Sequence, residues 1–514
     1  MPIIEKKIGA GEASLNHPPS SSSPENHKNL LSRRDFLKGA AAIGAGIMFG
    51  NLPKSTLVSS EPLSFSPSFP SSSSGEKPTI KSQELTTQQI FAELTVSLEQ
   101  LLQQPISIEG FSLFTDGQGE IQAILVNAAK QQLDAENNQY VASISIRLPD
   151  GTFSKFTPLW NLPPAPFKPS FIIQQKNGSI IVGLNEFWSG GSNNPDFLYL
   201  VSEDGGKTFV DEGEKIPDCD SLKEAPINIG DSVFHLYIPS DADNKPEKEK
   251  FFIRYPDGSI KAFSWSEGNR SLQLIWPGTY DIKRIGNQLR GYEAIAGPRE
   301  IIESRYGIRK FTIGDINNPK DTLTEEILKS YDGDVLALAV RFGQTEAEDR
   351  IYASVSGADE LFQIYDSYGH LLKQEYIEQW GVSGFDSIRI VGENKLLVAA
   401  GKATLNVGHL IFQPILILRD LTKEIGEEGA LTSLLLLPIE ERYSGFIPGQ
   451  YNMQVGKIND QWFAFGHISS AAGELALFIQ KFDPQNMRFI GEPVFIAQGM
   501  VKERIFMPVI MNQR

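Results

Sequence analysis

Residues Ser202–Phe209 read SEDGGKTF and follow the apolar run FLYLV at 197–201. An apolar strand closed by Asp-Gly-Gly and reopened by Thr-Phe is a hairpin signal. The carboxylate caps backbone N–H groups and the glycines accept positive φ. The same pattern recurs along the chain. SISIRLPDG reaches Asp150, FLYLVSEDG Asp204, FFIRYPDG Asp257, RKFTIGD Asp315, FQIYD Asp366, ILILRD Asp420 and FIQKFD Asp483. Each run ends at an Asp with a second strand-like run behind it, and successive Asp residues lie 51 to 63 positions apart. Self-similarity at this period predicts a propeller, solenoid or array.

Each unit divides into four short apolar or β-branched runs. In the second unit these are PSFIIQQ, SIIVGLNEF, DFLYLVSE and KTFVDEG. In the fifth they are VLALAVRF, DRIYASV, LFQIYD and LLKQEYI. Four antiparallel strands per unit and no helices predict an all-β fold, a seven-bladed β-propeller of four-stranded antiparallel blades over residues 107–512. Two packed β-sandwiches are the alternative, though they carry no single period. The terminal IFMPVIM (505–511) is strand-like and is expected to pair with the first blade and close the ring, removing open sheet edges.

Ser202, Asp204, Gly206, Thr208 and Phe209 resemble the Asp-box S/T-x-D-x-G-x-T-W/F, the BNR repeat of bacterial sialidases and related propellers. LPDGTF and YPDGSI are degenerate relatives. The resemblance implies that the box joins the third and fourth strands of a blade, on the rim away from the active site, as a structural staple. It also implies two classes of function. One is a non-enzymatic propeller that binds a glycan, protein or assembly intermediate. The alternative is a sialidase-like exo-glycosidase, whose family uses an arginine triad, a Tyr/Glu nucleophile pair and an acid Asp in a six-bladed barrel. Arg254, Arg299, Arg305 and Arg341 supply arginines here, but no arginine motif of that family surrounds them. Whether the chain is catalytic stays open at this point.

The N-terminal region is of a different kind. Residues 1–31 and 53–82 are Ser/Pro-rich stretches too poor in apolar side chains to fold. Between them, Ser32–Lys38 (SRRDFLK) resembles the twin-arginine export signal S-R-R-x-F-L-K, with Arg33, Arg34, Phe36 and Leu37 at its defined positions. The apolar, Gly/Ala-rich stretch that completes the segment 32–52 is too short for an ordinary membrane span. The resemblance implies the Tat translocase as partner and export in a folded state, to the periplasm or beyond. Small residues at Val58-Ser59-Ser60 suit cleavage, and an uncleaved signal leaves the protein tethered to the membrane. Residues 83–104 carry apolar side chains near helical spacing and predict one amphipathic helix.

Composition narrows the chemistry. A net charge of −16 with no basic face opposes nucleic-acid binding. A single cysteine, Cys219, excludes intrachain disulfides and cysteine-cluster zinc sites. The six histidines show no metal-binding spacing and no phosphate loop is present, so no metal or cofactor is expected.

If the Asp turns join strands three and four, the loops joining strands two and three occupy the opposite, ligand-binding face. There GPREIIESRYG groups Arg299, Glu300, Glu303, Arg305 and Tyr306, suited either to gripping an acid or sugar or to internal ion pairing in water. FWSGGSNNP sets Phe187 and Trp188 in a Gly/Asn-rich loop, as a sugar-stacking platform or a cover for the blade edge. His409 and His467 are expected at near-equivalent places on neighbouring blades, as shared ligands or as structural histidines.

Overall fold

The computed structural model describes residues 106–497 except 117, 131–138, 147–152, 155–156, 160–166, 176–177, 187–196, 212–218, 223–226, 230–231, 240–249, 265–272, 275–279, 297–305, 332, 357–358, 407–408, 437–452 and 470–474. The expected helix at 83–104, the closing strand at 505–511 and Asp150 lie outside the described residues.

The chain is an all-β propeller whose described strands form seven sheets in sequence order. The first holds β1 (Ile106–Thr115), β2 (Ile121–Lys130), β3 (Gln139–Ile146) and β4 (Thr157–Leu159). The second holds β5 (Phe167–Gln174), β6 (Ile180–Glu186), β7 (Phe197–Ser202) and β8 (Val210–Asp211). In the third, β9 (Cys219–Leu222) and β10 (Ile227–Asn228) both pair β11 (Val233–Pro239), which is followed by β12 (Lys250–Arg254) and β13 (Ile260–Ser264). In the fourth, β14 (Gln273–Leu274) and β15 (Tyr280–Ile285) likewise share β16 (Gln288–Ala296), ahead of β17 (Tyr306–Ile313) and β18 (Leu323–Tyr331). These two sheets are four-stranded blades with an interrupted first strand.

The remaining three are regular. The fifth is β19 (Val335–Arg341), β20 (Arg350–Val355), β21 (Leu361–Asp366) and β22 (Leu371–Tyr376). The sixth is β23 (Gly384–Gly392), β24 (Lys395–Asn406), β25 (His409–Asp420) and β26 (Leu431–Leu435). The seventh is β27 (Gln454–Ile458), β28 (Gln461–Ser469), β29 (Leu475–Asp483) and β30 (Arg488–Ala497). All strand pairings within the sheets are antiparallel, and the four runs read from the second and fifth units coincide with β5–β8 and β19–β22.

Packing closes the sheets into a ring. Leu125, Ile172 and Val233 share one core cluster across the first three sheets. Phe234 and Phe311 join the third to the fourth, Tyr292 and Leu338 the fourth to the fifth, and Phe362 and Phe385 the fifth to the sixth. Leu416 and Phe478 join the sixth to the seventh, and Ile121 and Phe463 join the seventh back to the first. A parallel bridge between Glu120 and Lys457, and the Leu113 N–H donated to Gln454 Oε1 at 2.7 Å, reinforce that last junction. A pair of stacked sandwiches is thereby excluded.

Because each sheet is pressed between two others, both faces of an inner strand leave water. That is why β19 reads VLALAVR, a continuous apolar run rather than an alternation, with Val335–Val340 all buried. Close face-to-face packing also shapes strand two. Gly183 lies opposite Tyr199, Gly291 opposite Phe311 and Gly466 opposite Phe478. A Cβ on Gly291 or Gly466 would sit 2.1 Å or 2.4 Å from the facing ring, so the aromatic occupies the space the glycine leaves.

The Asp turns fall where the repeat placed them. Asp204, Asp257, Asp315, Asp366, Asp420 and Asp483 all stand at a strand-three to strand-four connection. Five of them cap the amide two residues on. Asp257 accepts the N–H of Ser259 at 3.0 Å, Asp315 that of Asn317 at 3.0 Å and Asp366 that of Tyr368 at 2.9 Å. Asp420 accepts from Thr422 at 3.0 Å and Asp483 from Gln485 at 3.0 Å. Asp204 reaches further, to the N–H groups of Lys207 and Thr208, both at 2.9 Å. Ser202 Oγ meanwhile donates to Asp204 and accepts the Gly206 N–H, each at 2.8 Å. Gly205 and Gly206 have φ of +74° and +86°, which the wider turn requires. Phe209 then packs against the core below.

Candidate functional site

In an antiparallel four-strand meander, the one-to-two and three-to-four connections share one edge, and the two-to-three connections share the other. The six described Asp turns therefore define one face of the ring, and the described strand ends that flank the two-to-three connections lie on the opposite face. Phe187, Trp188, Arg299, Glu300, Glu303 and Arg305 lie outside the described residues, in connections whose flanking strand ends are described. Tyr306 opens β17 opposite Ala296 and is packed, half-buried, against the core between the fourth and fifth sheets. His409 opens β25 opposite Asn406, at the tip of the long β24–β25 hairpin. His467 sits instead within β28, opposite Leu477. The two histidines thus occupy different strand positions rather than equivalent ones.

The first strands of neighbouring sheets approach one another, β15 with β19, β19 with β23, and β1 with β5 and β27, so they line the axis. On this inner ring Asp281 of β15 spans two blades. Its Oδ2 accepts the Val340 N–H from β19 at 3.1 Å, and its Oδ1 accepts the Ile282 N–H at 2.9 Å. Burial pushes its carboxyl up to about 6, against the opposing pull of those N–H groups and of Arg389 and Lys283. Sequence reading missed this residue because it searched loops. A lone acid inside the strand-like YDIKRI was the available signal.

Further out, buried charges work as mortar. Arg419 of β25 is fully buried and donates from Nη2 to Glu375 Oε1 of β22 at 2.6 Å, across the fifth and sixth sheets. The same guanidinium lies 5.7 Å from the centroid of Trp380. Arg290 meets the buried Asp349 at 3.1 Å, while Tyr292 donates to that carboxylate at 2.8 Å, tying the fourth sheet to the fifth. Burial raises the Asp349 carboxyl above its ordinary range. Within the fourth sheet Arg309 pairs with Glu293 and reaches Glu325 at 3.7 Å. All of these sit on strands two to four or on the turn face, away from the inner ring. Among the described residues, no group of three or more His, Cys, Asp or Glu could hold a metal ion. No described helix is long and apolar enough to cross a membrane.

Residues 30–50 match the TAT (twin-arginine translocation) pathway signal sequence family, which implies export across the cytoplasmic membrane. No curated protein matches the chain. Solved structures similar to it include a protein of unknown function from Dyadobacter fermentans, at 11% identity over 74% of this chain and 96% of that one, TM-score 0.36. Pyrococcus horikoshii acylaminoacyl peptidase matches at 10% identity over 76% of this chain and 52% of that one, TM-score 0.40. Trypanosoma rangeli sialidase in complex with sialic acid matches at 10% identity over 77% and 79%, TM-score 0.33.

Proposed function

We propose that this protein is an exported binding or assembly module, which takes an acidic glycan or acidic protein partner on the face opposite its Asp turns. The observation that carries the reading is where its buried charges go. An enzyme of the glycosidase class needs arginines and carboxylates gathered around the axis. The described buried pairs Arg419–Glu375, Arg290–Asp349 and Arg309–Glu293 are instead engaged with one another between and within blades, and the inner-ring acid Asp281, near Arg389, has each carboxylate oxygen occupied by a backbone N–H. Binding then falls to the two-to-three loops, with Arg299 and Arg305 pairing an anion, Glu300 and Glu303 setting its selectivity, and Phe187 and Trp188 stacking. His409 and Tyr306 border the same face.

The test uses the exported protein. Alanine at both Arg299 and Arg305 is expected to weaken capture of an acidic glycan or acidic partner by about 2 kcal/mol or more, with the melting temperature nearly unchanged. Loss of binding only together with loss of folding overturns the reading. Turnover of a fluorogenic sialoside by the wild type, abolished by the same pair of substitutions, replaces it with the exo-glycosidase.

A further inference from the structure

Among the described residues, large exposed apolar side chains are unevenly distributed over the ring. Tyr368, Leu371, Leu372 and Tyr376 are 55%, 49%, 52% and 42% exposed and belong to β22 or the turn that leads into it, with Val210 of the two-residue β8, 66% exposed, standing apart from them. β22 is the last strand in the order of the fifth sheet, so one backbone edge has no described strand beside it. Outer strands ordinarily guard that edge with charge, with proline, or by being very short. β13 exposes Lys261, β18 exposes Glu326 and Lys329, and β30 exposes Arg488 and Glu492, while β26 (LTSLL) carries no charge but is five residues long and keeps its leucines half-buried. β22 has only Lys373 of this kind with its Glu375, and Lys373 is turned away and tied to Glu375 at 3.1 Å.

The strand's geometry explains how one side became apolar. A register shift between Ile364–Lys373 and Tyr365–Leu371 leaves Leu372 as an extra residue. Leu372, Gln374 and Tyr376 then stand exposed on one side, while Lys373 and Glu375 lie inward toward the sixth sheet, where Glu375 meets Arg419. The Ile377 N–H bonds inward to Glu360 O at 2.9 Å. Alternation accordingly turns the N–H and C=O groups of Gln374 and Tyr376 outward.

We propose that β22 pairs antiparallel with β22 of a second copy of this chain, about a two-fold axis through Gln374. The sequence LLKQEY is self-complementary in that register. Leu372 faces the partner's Tyr376, Lys373 faces the partner's Glu375, and Gln374 faces its own counterpart. Both apolar pairs and both opposite-charge pairs are satisfied, and no like charges meet. This self-match favours a second copy over an unrelated strand, which would have no reason to fit both faces at once.

The test is sedimentation of the full chain into the high micromolar range, because an edge contact this small belongs to the weak class of interface. The wild type is expected to sediment as a dimer. Leu372→Lys with Tyr376→Lys places like charges opposite each other at both apolar positions and is expected to give a monomer. Leu372→Lys with Tyr376→Glu removes the same apolar groups but restores opposite pairs by symmetry, and is expected to remain a dimer. Melting curves establish that both variants fold. A monomeric wild type, or two double variants that behave alike, overturns the proposal.

Discussion

Two aspartates show how position in the ring sets the behaviour of the same side chain. Asp204 stands in water at a turn, and hydrogen bonds from Thr208, from Ser202 and from the Lys207 amide hold its carboxyl well below the usual range. A depressed carboxyl contributes stability that is present above its unfolded value of about 3.9 and lost as the pH falls below it. Asp204→Ala is therefore expected to lower the melting temperature at pH 7, with the gap to wild type closing below about pH 4. A gap that persists unchanged at pH 3 would contradict the assignment. Asp281 is the reverse case. Its carboxyl is raised to about 6 by burial, so its favourable contribution is present below about pH 4 and lost as the pH rises toward 6. Asp281→Asn stays neutral and still offers an oxygen to the Val340 N–H. Its melting temperature is expected to vary less than that of wild type between pH 4 and 6, and parallel curves would refute this.

At the level of strands, stability depends on what crosses from one blade to the next. The Arg419–Glu375 pair joins β25 to β22 with both side chains almost wholly out of water. Replacing Glu375 by Ala leaves a buried guanidinium without its carboxylate, and urea denaturation is expected to show a loss of about 3–5 kcal/mol. Arg419→Met with Glu375→Leu removes the charge along with its partner and is expected to cost far less. Equal losses in the single and double variants would show that packing, not charge, holds this junction. The glycine–aromatic pairs are a second strand-level device: Gly291 and Gly466 exist to let Phe311 and Phe478 lie flat across the sheet.

For the whole molecule, the ring and its leader act in sequence. The signal at residues 30–50 precedes a fold closed by packing between its first and seventh sheets. Arg33→Lys with Arg34→Lys keeps the charge but removes the paired guanidinium groups. Cell fractionation is expected to find this variant in the cytoplasm, folded. Wild-type distribution of the double variant would remove the export assignment while leaving the ring intact.

What the sequence determined by itself was everything that depends on neighbours within a few residues. Asp at the end of an apolar run dictates a capped hairpin, and its recurrence dictates repeated units, so the turn positions and the strands of the second and fifth units were legible. The equivalence of His409 and His467 was not, since it depended on loop and strand ends that the repeat does not mark. The tertiary structure alone decided which charges meet. Arg254, Arg309 and Arg419 each stand in a third strand ahead of a turn Asp, a visible pattern, but their surroundings come from strands tens of residues away. Arg419 finds Glu375 on the next blade, and Arg309 finds Glu293 and Glu325 on its own. Asp281 likewise acquires its raised pKa only when β19 closes over it. Local hydrogen bonding is written in adjacent residues, whereas desolvation and ion pairing arise only once separate blades exclude water between them.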